Sequence, residues 1–449
     1  MGRKSHSQSL VLWANGERVG TWTTMARGDM ELQYEPSWQA SALGRPLSLS
    51  LPFNLNNEPL RGEMVANYFD NLLPDSTNIR KRVATRFKTG SIEPFNLLQA
   101  VGRDCVGAIQ LLNEGEAPQG LDNVDGVEVN EEAIERHLLE VVSPERFAGG
   151  KSPDDDFRIS LAGAQEKDAF LKWNGKWLKP RGATPTTHIF KMPLGLVGGR
   201  QADFSTSVDN EWLCLKLLHA FGLPVAQAEI QTFGKQRVLV VERFDRLVSV
   251  TGTRLLRLPQ EDFCQATGTS PLRKYEADGG PGIKKIFEIL QQSVAPQEDL
   301  RTFMASQILF WMLRAPDGHA KNFSIQLLAG GANRFRLTQM YDVMSAYPAM
   351  GPGSNQWAGQ EVKLAMALLG KNRHLHMYNI QRRHFNSTAK LVGYAENAEE
   401  LLQEFVERTP AVVEQVRQVL PKGFSEKVAD SVLGGLQKAA RTLDAMAPM

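Results

Sequence analysis

Asp317-Gly318-His319-Ala320-Lys321-Asn322, running through a short alternating segment to Tyr341-Asp342, is the stretch on which the reading of this chain turns. Residues 323–328 alternate apolar and polar side chains, Ala329-Gly330-Gly331-Ala332-Asn333 is a turn cluster, and residues 335–338 alternate again, so two antiparallel strands are expected. A hairpin brings its open ends together. Asn322 enters the first strand and Asp342 follows the second, which places an amide oxygen and a carboxylate in one small volume with Asp317. Such a trio can hold a divalent cation and take a proton from a nucleophile.

The 449 residues exceed the span over which one hydrophobic core usually keeps growing, so two or three substructures are expected. A hydrophobic fraction of 42% and a charged fraction of 22% are ordinary for a soluble globular protein, and a net charge of +1 leaves nucleic-acid binding to local patches. Cys105, Cys214 and Cys264 lie far apart without paired metal-ligand spacing. They read as buried small hydrophobes in a reducing compartment, not as zinc ligands or a disulfide framework. No apolar run follows the basic amino terminus and no window approaches a membrane span, so a cytoplasmic protein without membrane association is expected.

Working outward, Asn15-Gly16 between two apolar segments predicts an opening hairpin with a type I′ turn. Leu47, Leu49 and Leu51 alternate with serines and predict a further strand; Phe69-Asp70-Asn71-Leu72-Leu73-Pro74-Asp75 then leads into a basic amphipathic helix over about 78–87. Residues 113–132 are rich in Glu, Asp, Gly and Pro and read as a linker. Strand patterns resume at 157–160, 169–173, 188–192 and 238–241, with a helix that starts near Ser207 and stops at Gly222-Leu223-Pro224. Beyond about Leu255 the pattern is mainly helical, at 283–291, 300–313 and several segments after 389. The outline is α+β: an amino-terminal subdomain over 1–130, a β-rich lobe over 131–245 and an α-helical lobe over 246–449.

Ser160-Leu161-Ala162-Gly163-Ala164-Gln165-Glu166-Lys167 joins two strand patterns through small residues, which lets backbone N–H groups approach phosphate oxygens; an ordinary tight hairpin has the same composition. Lys191 sits among apolar residues in a strand, either as a solvated edge residue or, beside that loop, as a partner for nucleotide phosphates fixed by Glu211. Glu211 is also placed to meet a helix dipole. Glu242-Arg243-Phe244 follows an apolar strand at a lobe junction, where backbone groups can pair with an adenine edge or simply form a salt-bridged link. A metal-dependent hydrolase could also use Asp, His and Asn, with His319 on the metal and Asp342 bridging, but the chain has no His-x-His, no His-Glu-x-x-His and no dense run of carboxylates. For phosphoryl transfer the set is fuller: a phosphate loop, a lysine, Asp317 as base, and Asn322 and Asp342 as magnesium ligands. His319 serves as a phosphate donor or as a structural histidine.

These residues resemble a known family. Phe157-Arg158-Ile159-Ser160 running into Ala162–Lys167, Thr184-Pro185-Thr186-Thr187-His188-Ile189, Leu258-Pro259-Gln260-Glu261-Asp262, Asp278-Gly279-Gly280-Pro281-Gly282, the 317–322 stretch and Tyr341-Asp342 are similar to the HipA serine/threonine kinase toxins of bacterial HipBA modules. The 69–75 motif and Gly102-Arg103-Asp104-Cys105-Val106-Gly107-Ala108 fit the same family. The resemblance implies a two-lobed protein-kinase-like fold with ATP and Mg2+ as cofactors. Asp317 is then the catalytic base, Asn322 and Asp342 the metal ligands and Lys191 the ATP lysine. Further nucleotide contacts fall on Ala162, Gly163, Ala164, Gln165, Glu166 and Lys167, on Glu242, Arg243 and Phe244, and on His319, Ala320, Lys321 and Tyr341. Ser160 matches an autophosphorylated serine, where phosphate would repel the nucleotide loop and inactivate the enzyme. The family also implies a HipB-type helix-turn-helix antitoxin, joint repression at operator DNA, and glutamyl-tRNA synthetase as the substrate whose phosphorylation stops translation and promotes persistence. Lys371, Arg373, Arg382 and Arg383 form a basic stretch placed to touch operator phosphates in such a complex. Leu161 stands where valine is expected, Pro316 stiffens the entrance to the 317–322 loop, and residues 195–203, at the activation-loop position, differ in composition. The rival reading is a catalytically idle, nucleotide-binding partner of a DNA-binding repressor.

Overall fold

Asn15 and Gly16 adopt φ of 48° and 95° and close a hairpin between Gln8–Ala14 and Glu17–Thr24, as an Asn-Gly type I′ turn requires. The computed structural model describes residues 7–25, 28–142, 160–163, 165–198, 201–330 and 333–447. The expected strand at 157–159 lies outside them. The hairpin forms the middle of a five-stranded antiparallel sheet in the order Leu60–Arg61, Met30–Tyr34, Glu17–Thr24, Gln8–Ala14, Ile109–Asn113. Glu63–Asp70 and Pro94–Val101 cover it, with Trp22 stacked 3.9 Å from Phe69. The basic helix is Thr77–Phe87.

The segment around Leu47, Leu49 and Leu51 is not a strand. Its polar groups are held individually instead: Leu47 N–H donates to the Tyr34 hydroxyl at 2.9 Å, Tyr34 donates to Leu51 O at 2.7 Å, and Ser50 Oγ donates to Gln265 O at 2.7 Å. Alternation alone specified a surface facing two ways, and side-chain anchors took the place of a ladder.

The second sheet has six antiparallel strands in the order Ala228–Phe233, Gln236–Glu242, His188–Lys191, Lys167–Trp173, Lys176–Pro180, Gly126–Glu128. Period-two alternation sorts its faces: Val238 and Val240 join Ile134 and Leu138 of helix Glu131–Val142, while Leu239 and Val241 face the core of helix Ser207–Ala220. Gly126–Glu128 already belongs to this sheet, so the linker crosses over residues 114–125.

Helices Ile283–Leu290, Pro296–Met312, Arg382–Leu391, Glu399–Gln418 and Glu426–Asp444 build the carboxyl-terminal region. Ser207–Ala220 shares their apolar core, so the lobes are joined by packing as well as by chain. The central hairpin is Ser324–Leu327 with Phe335–Leu337, Ile325 opposite Leu337, and a third strand, Gln260–Asp262, pairs Asp262 with Ser324. A hairpin of Lys363–Leu369 with Arg373–His376 interrupts the mainly helical region. Leu364-Ala365-Met366-Ala367-Leu368 within it is buried on both faces and shows no alternation, which hides the strand from a period-two reading. The three cysteines are free and buried, and among the described residues no helix is long and apolar enough to cross a membrane.

Candidate active site

The turn after Pro296–Met312 passes through Arg314 at φ 52° and delivers Asp317, whose side chain is 40% exposed toward a cleft of about 870 Å³. Gly318 packs so closely on Phe310 that a Cβ there would collide with the ring. Asn322 Nδ2 donates to Asp317 O at 2.7 Å, which turns Asn322 Oδ1 away from that bond. At the other end of the hairpin Asp342 takes a left-handed φ of 57°. Lys191, from His188–Lys191, donates from Nζ to Asp342 Oδ1 at 2.9 Å and to Glu211 Oε1, on the first turns of Ser207–Ala220, at 2.6 Å. Burial works against the Lys191 charge, but Asp342 and Glu211 more than offset it and raise its pKa. Burial raises Glu211, whereas for Asp342 the opposing effects of burial and of Lys191 and Lys167 resolve well below the carboxylate range.

Asp317 Oδ1 accepts a hydrogen bond from the Tyr275 hydroxyl, and His319 Nε2 lies 3.6 Å from the same oxygen. Tyr275 and His319 meet edge to face at 4.9 Å. Burial lowers the His319 pKa, so its imidazole is neutral near pH 7. Its Nδ1 is buried and, among the described residues, meets no hydrogen-bond partner.

The small-residue loop faces this cluster. Gly163 has φ 109°, and a Cβ on it would stand 2.6 Å from Lys167 Nζ, so the loop backbone and that ammonium share one place. Burial pushes Lys167 down to about 8. Glu166 turns the other way and pairs with Arg82, outside the cleft, and Ala164 lies outside the described residues. Ser160 is buried, its Oγ donating to Leu72 O at 2.8 Å, on the far side of the loop from the cleft.

Glu242, Arg243 and Phe244 line the cleft where the six-stranded sheet meets the helical lobe. The Arg243 guanidinium points away from it into a buried knot, donating to Asp245 Oδ2 at 2.9 Å, Thr186 Oγ at 2.9 Å and Cys105 O at 2.9 Å, so only its backbone is available there. Asp104 sits in the same knot with Arg246 at 2.9 Å and Arg257 at 3.2 Å, and those arginines overcome burial to hold it far below the carboxylate range. Tyr341 lies 5.8 Å from Phe244, ring to ring, and its hydroxyl donates to Lys321 O at 3.0 Å. Ala320 is fully buried and does not line the cleft.

Asp317, Asn322, Asp342 and Lys191 therefore line one cleft, with Ala162, Gly163, Gln165, Lys167, His319, Lys321 and Tyr341. Ser160, Glu166 and Ala320 stand apart from it. The sequence reading missed Asn71 and Asp75 of the amino-terminal subdomain, and Lys274 and Tyr275, all of which line the cleft. The motif at 69–75 was the available signal. In the segment expected at the activation-loop position, Gly195–Val197 pairs with Ala202–Phe204, and Phe204 packs 5.2 Å from Trp357. In the basic stretch, Lys371 and Arg383 are exposed and Arg373 pairs with Glu276. Arg382 is buried on Glu399 at 2.6 Å, and that partner removes it from any phosphate-binding set.

Among the described residues no three His, Cys, Asp or Glu side chains converge as a metal cage. That donor set does not fit a hydrolytic zinc centre, which takes three protein ligands. It does fit magnesium, a cation commonly held by one or two protein oxygens with phosphates and water completing the shell.

Two family models match in tandem: the HipA N-terminal domain over residues 10–112 and the HipA-like C-terminal domain over residues 159–413. The chain is 33% identical over 362 residues to Y4mE, a Sinorhizobium fredii protein named as a candidate kinase, covering 79% of this chain and 82% of that one. It is 28% identical over 353 residues to the serine/threonine-protein kinase toxin HipA of Shewanella oneidensis, covering 75% and 73%. The fold matches HipA in the Shewanella oneidensis complex of HipA, HipB and operator DNA with a TM-score of 0.76 at 21% identity, over 96% of each chain. The architecture is thus the two-lobed, kinase-like α+β fold expected from the sequence, and the chain belongs to the HipA family.

Proposed function

We propose that this chain is a Mg-ATP-dependent serine/threonine protein kinase and the toxin of a HipBA-type module. One observation carries the reading: Lys191, pinned by Glu211 and Asp342, lines the same cleft as Asp317 and Asn322. Lys191 and Lys167 offer positive charge to phosphates, and the Gly163 backbone can approach them without a side chain in the way. Asn322 and Asp342 would hold magnesium, which would offset phosphate charge when bound. Asp317, with one carboxylate oxygen on Tyr275, takes the proton of the acceptor hydroxyl as the hydroxyl oxygen bonds to the γ-phosphorus and the bond from that phosphorus to the ADP oxygen breaks. The Phe244 and Tyr341 rings form the nucleoside end of the cleft.

Ser160 is proposed as an autophosphorylation site. Its hydroxyl proton is the bond to Leu72 O, so a phosphate there removes a donor and sets a dianion against a carbonyl, which displaces the loop and shuts the enzyme off. The relatives' names and the operator complex support a HipB-type antitoxin and operator DNA bound through that complex. Glutamyl-tRNA synthetase is the proposed substrate, from family resemblance.

Purified protein incubated with ATP and magnesium tests the reading by mass spectrometry. Phosphate on Ser160, absent in Asp317→Ala, supports the kinase. Equal modification in both proteins leaves the idle nucleotide-binding partner of a repressor. Ser160→Ala should stay active toward an added glutamyl-tRNA synthetase, and phosphoproteomics after controlled expression identifies the substrate directly.

A further inference from the structure

Asn71-Leu72-Leu73-Pro74-Asp75 belongs to the amino-terminal subdomain, outside the two lobes that carry the chemistry. It nevertheless touches both working loops of the cleft. On one side the Asp75 N–H donates to Gly163 O at 3.0 Å, and Pro74 bridges to Gly163, so the backbone of the phosphate loop is held by this segment. On the other side Lys321 Nζ donates to Asn71 O at 3.1 Å and Asn71 Oδ1 at 2.9 Å, and forms an ion pair with Asp75 Oδ1 at 3.2 Å. Asp75 Oδ2 meets Lys274 at 2.8 Å.

Lys321 Nζ makes its hydrogen bonds to Asn71, pairs with Asp75 at 3.2 Å and lies farther from the Asp262 carboxylate, at 3.8 Å. Its side chain is 3% exposed, so it is a tether for the catalytic loop and not a free phosphate ligand. Asn71 is fixed a second time to the helical lobe that carries Lys321, its Nδ2 donating to Thr269 O at 2.9 Å. Lys321 is the residue next to the metal-binding position Asn322 and lies within the loop that starts at Asp317. A contact that sets Lys321 therefore sets the distance between the base and the phosphate loop.

We propose that Asn71 and Asp75 are positioning residues for phosphoryl transfer: the amino-terminal subdomain clamps the phosphate loop at Gly163 and the catalytic loop at Lys321 in one register, and the cleft is incomplete without it. This rests on the kinase reading given above. The clamp acts on the alignment of the reacting groups, not on the adenine end, so its loss lowers turnover more than nucleotide affinity.

The test uses the full chain with Asp75→Asn, which keeps size and removes charge, and Asp75→Glu, which keeps charge. Misplacing reacting groups by about 1 Å costs on the order of 100-fold, so Asp75→Asn should lose about 10- to 100-fold in kcat with KM for ATP little changed, and Asp75→Glu should recover much of it. Unchanged kcat, or a loss expressed only in KM, overturns the proposal. Amide exchange of the apo proteins is the second arm: the peptide carrying the residue-75 N–H should lose protection in Asp75→Asn and keep it in Asp75→Glu. Equal protection in all three proteins also overturns the clamp. If the wild-type protein transfers no phosphate, the kinase reading falls, and the exchange arm still decides whether the clamp exists.

Discussion

Replacing Lys191 by methionine tests the electrostatic core of the site. The ammonium lies 2.6 Å from Glu211 and 2.9 Å from Asp342, with side-chain exposures of 7%, 2% and 20%, so water cannot replace it at Glu211. Removing one partner of a buried ion pair typically costs about 3–5 kcal/mol, because the remaining charge stays desolvated. Here two carboxylates are left facing each other. Glu211, already raised by burial, then holds its proton to still higher pH, so above its unfolded value of about 4.3 the folded state binds more protons than the unfolded one. Stability of Lys191→Met therefore falls as pH rises. Urea unfolding of the apo protein should show a small deficit relative to wild type at pH 5 and the full deficit at pH 8. Glu211→Gln in the same background removes the buried charge and should restore most of the loss at pH 8. An equal deficit at both pH values, or no recovery in the double variant, would show that the three groups are not one buried charge system.

Asp317→Asn keeps the shape of the loop and removes the base; phosphate transfer should fall by about 10²- to 10⁴-fold while nucleotide affinity by calorimetry stays near wild type. Chelation of magnesium with EDTA should abolish transfer and weaken nucleotide binding, whereas the thermal stability of the apo protein should not move, since among the described residues no cluster of carboxylates depends on a cation. Asp104→Asn takes the shared anion from Arg243, Arg246 and Arg257 and should destabilise by about 3–5 kcal/mol in denaturant titration at pH 7. Because the folded pKa of Asp104 is depressed, its contribution is present above about pH 4 and is lost on acidification, so the gap between wild type and variant should close at low pH.

Much of the site was legible because its residues are close in sequence to signals with a fixed geometry. The turn cluster at 329–333 required a hairpin, the hairpin required its ends to meet, and Asn322 and Asp342 occupy those ends. Lys191 was legible as a strand residue among apolar neighbours, and Glu211 as its partner at a helix start, but its second carboxylate, Asp342, comes from 151 residues further along the chain. The strand expected at 47–51 failed because its alternation marks contacts to Tyr34 and Gln265, not a ladder. Arg382 read as basic surface because its partner, Glu399, lies 17 residues away on the next helix. Residues 363–369 went unread because their stretch 364–368, buried on both faces, has no period.

The sequence by itself determined the opening hairpin, the three central strands of the second sheet, the helical carboxyl-terminal region, the identity of the acid, amide and lysine that meet in the cleft, and the family. Those features depend on local spacing and on residue type. Only the tertiary structure decided that Ser160 and Glu166 face away from the cleft, that Arg243 is committed to the Asp104 knot, and that Asp75 and, across 250 residues of sequence, Asn71 reach Lys321. A side chain's charge is written in the sequence, but its partner is chosen by packing: once burial removes water, each ammonium or guanidinium takes the nearest oxygen the fold presents, whatever its distance along the chain.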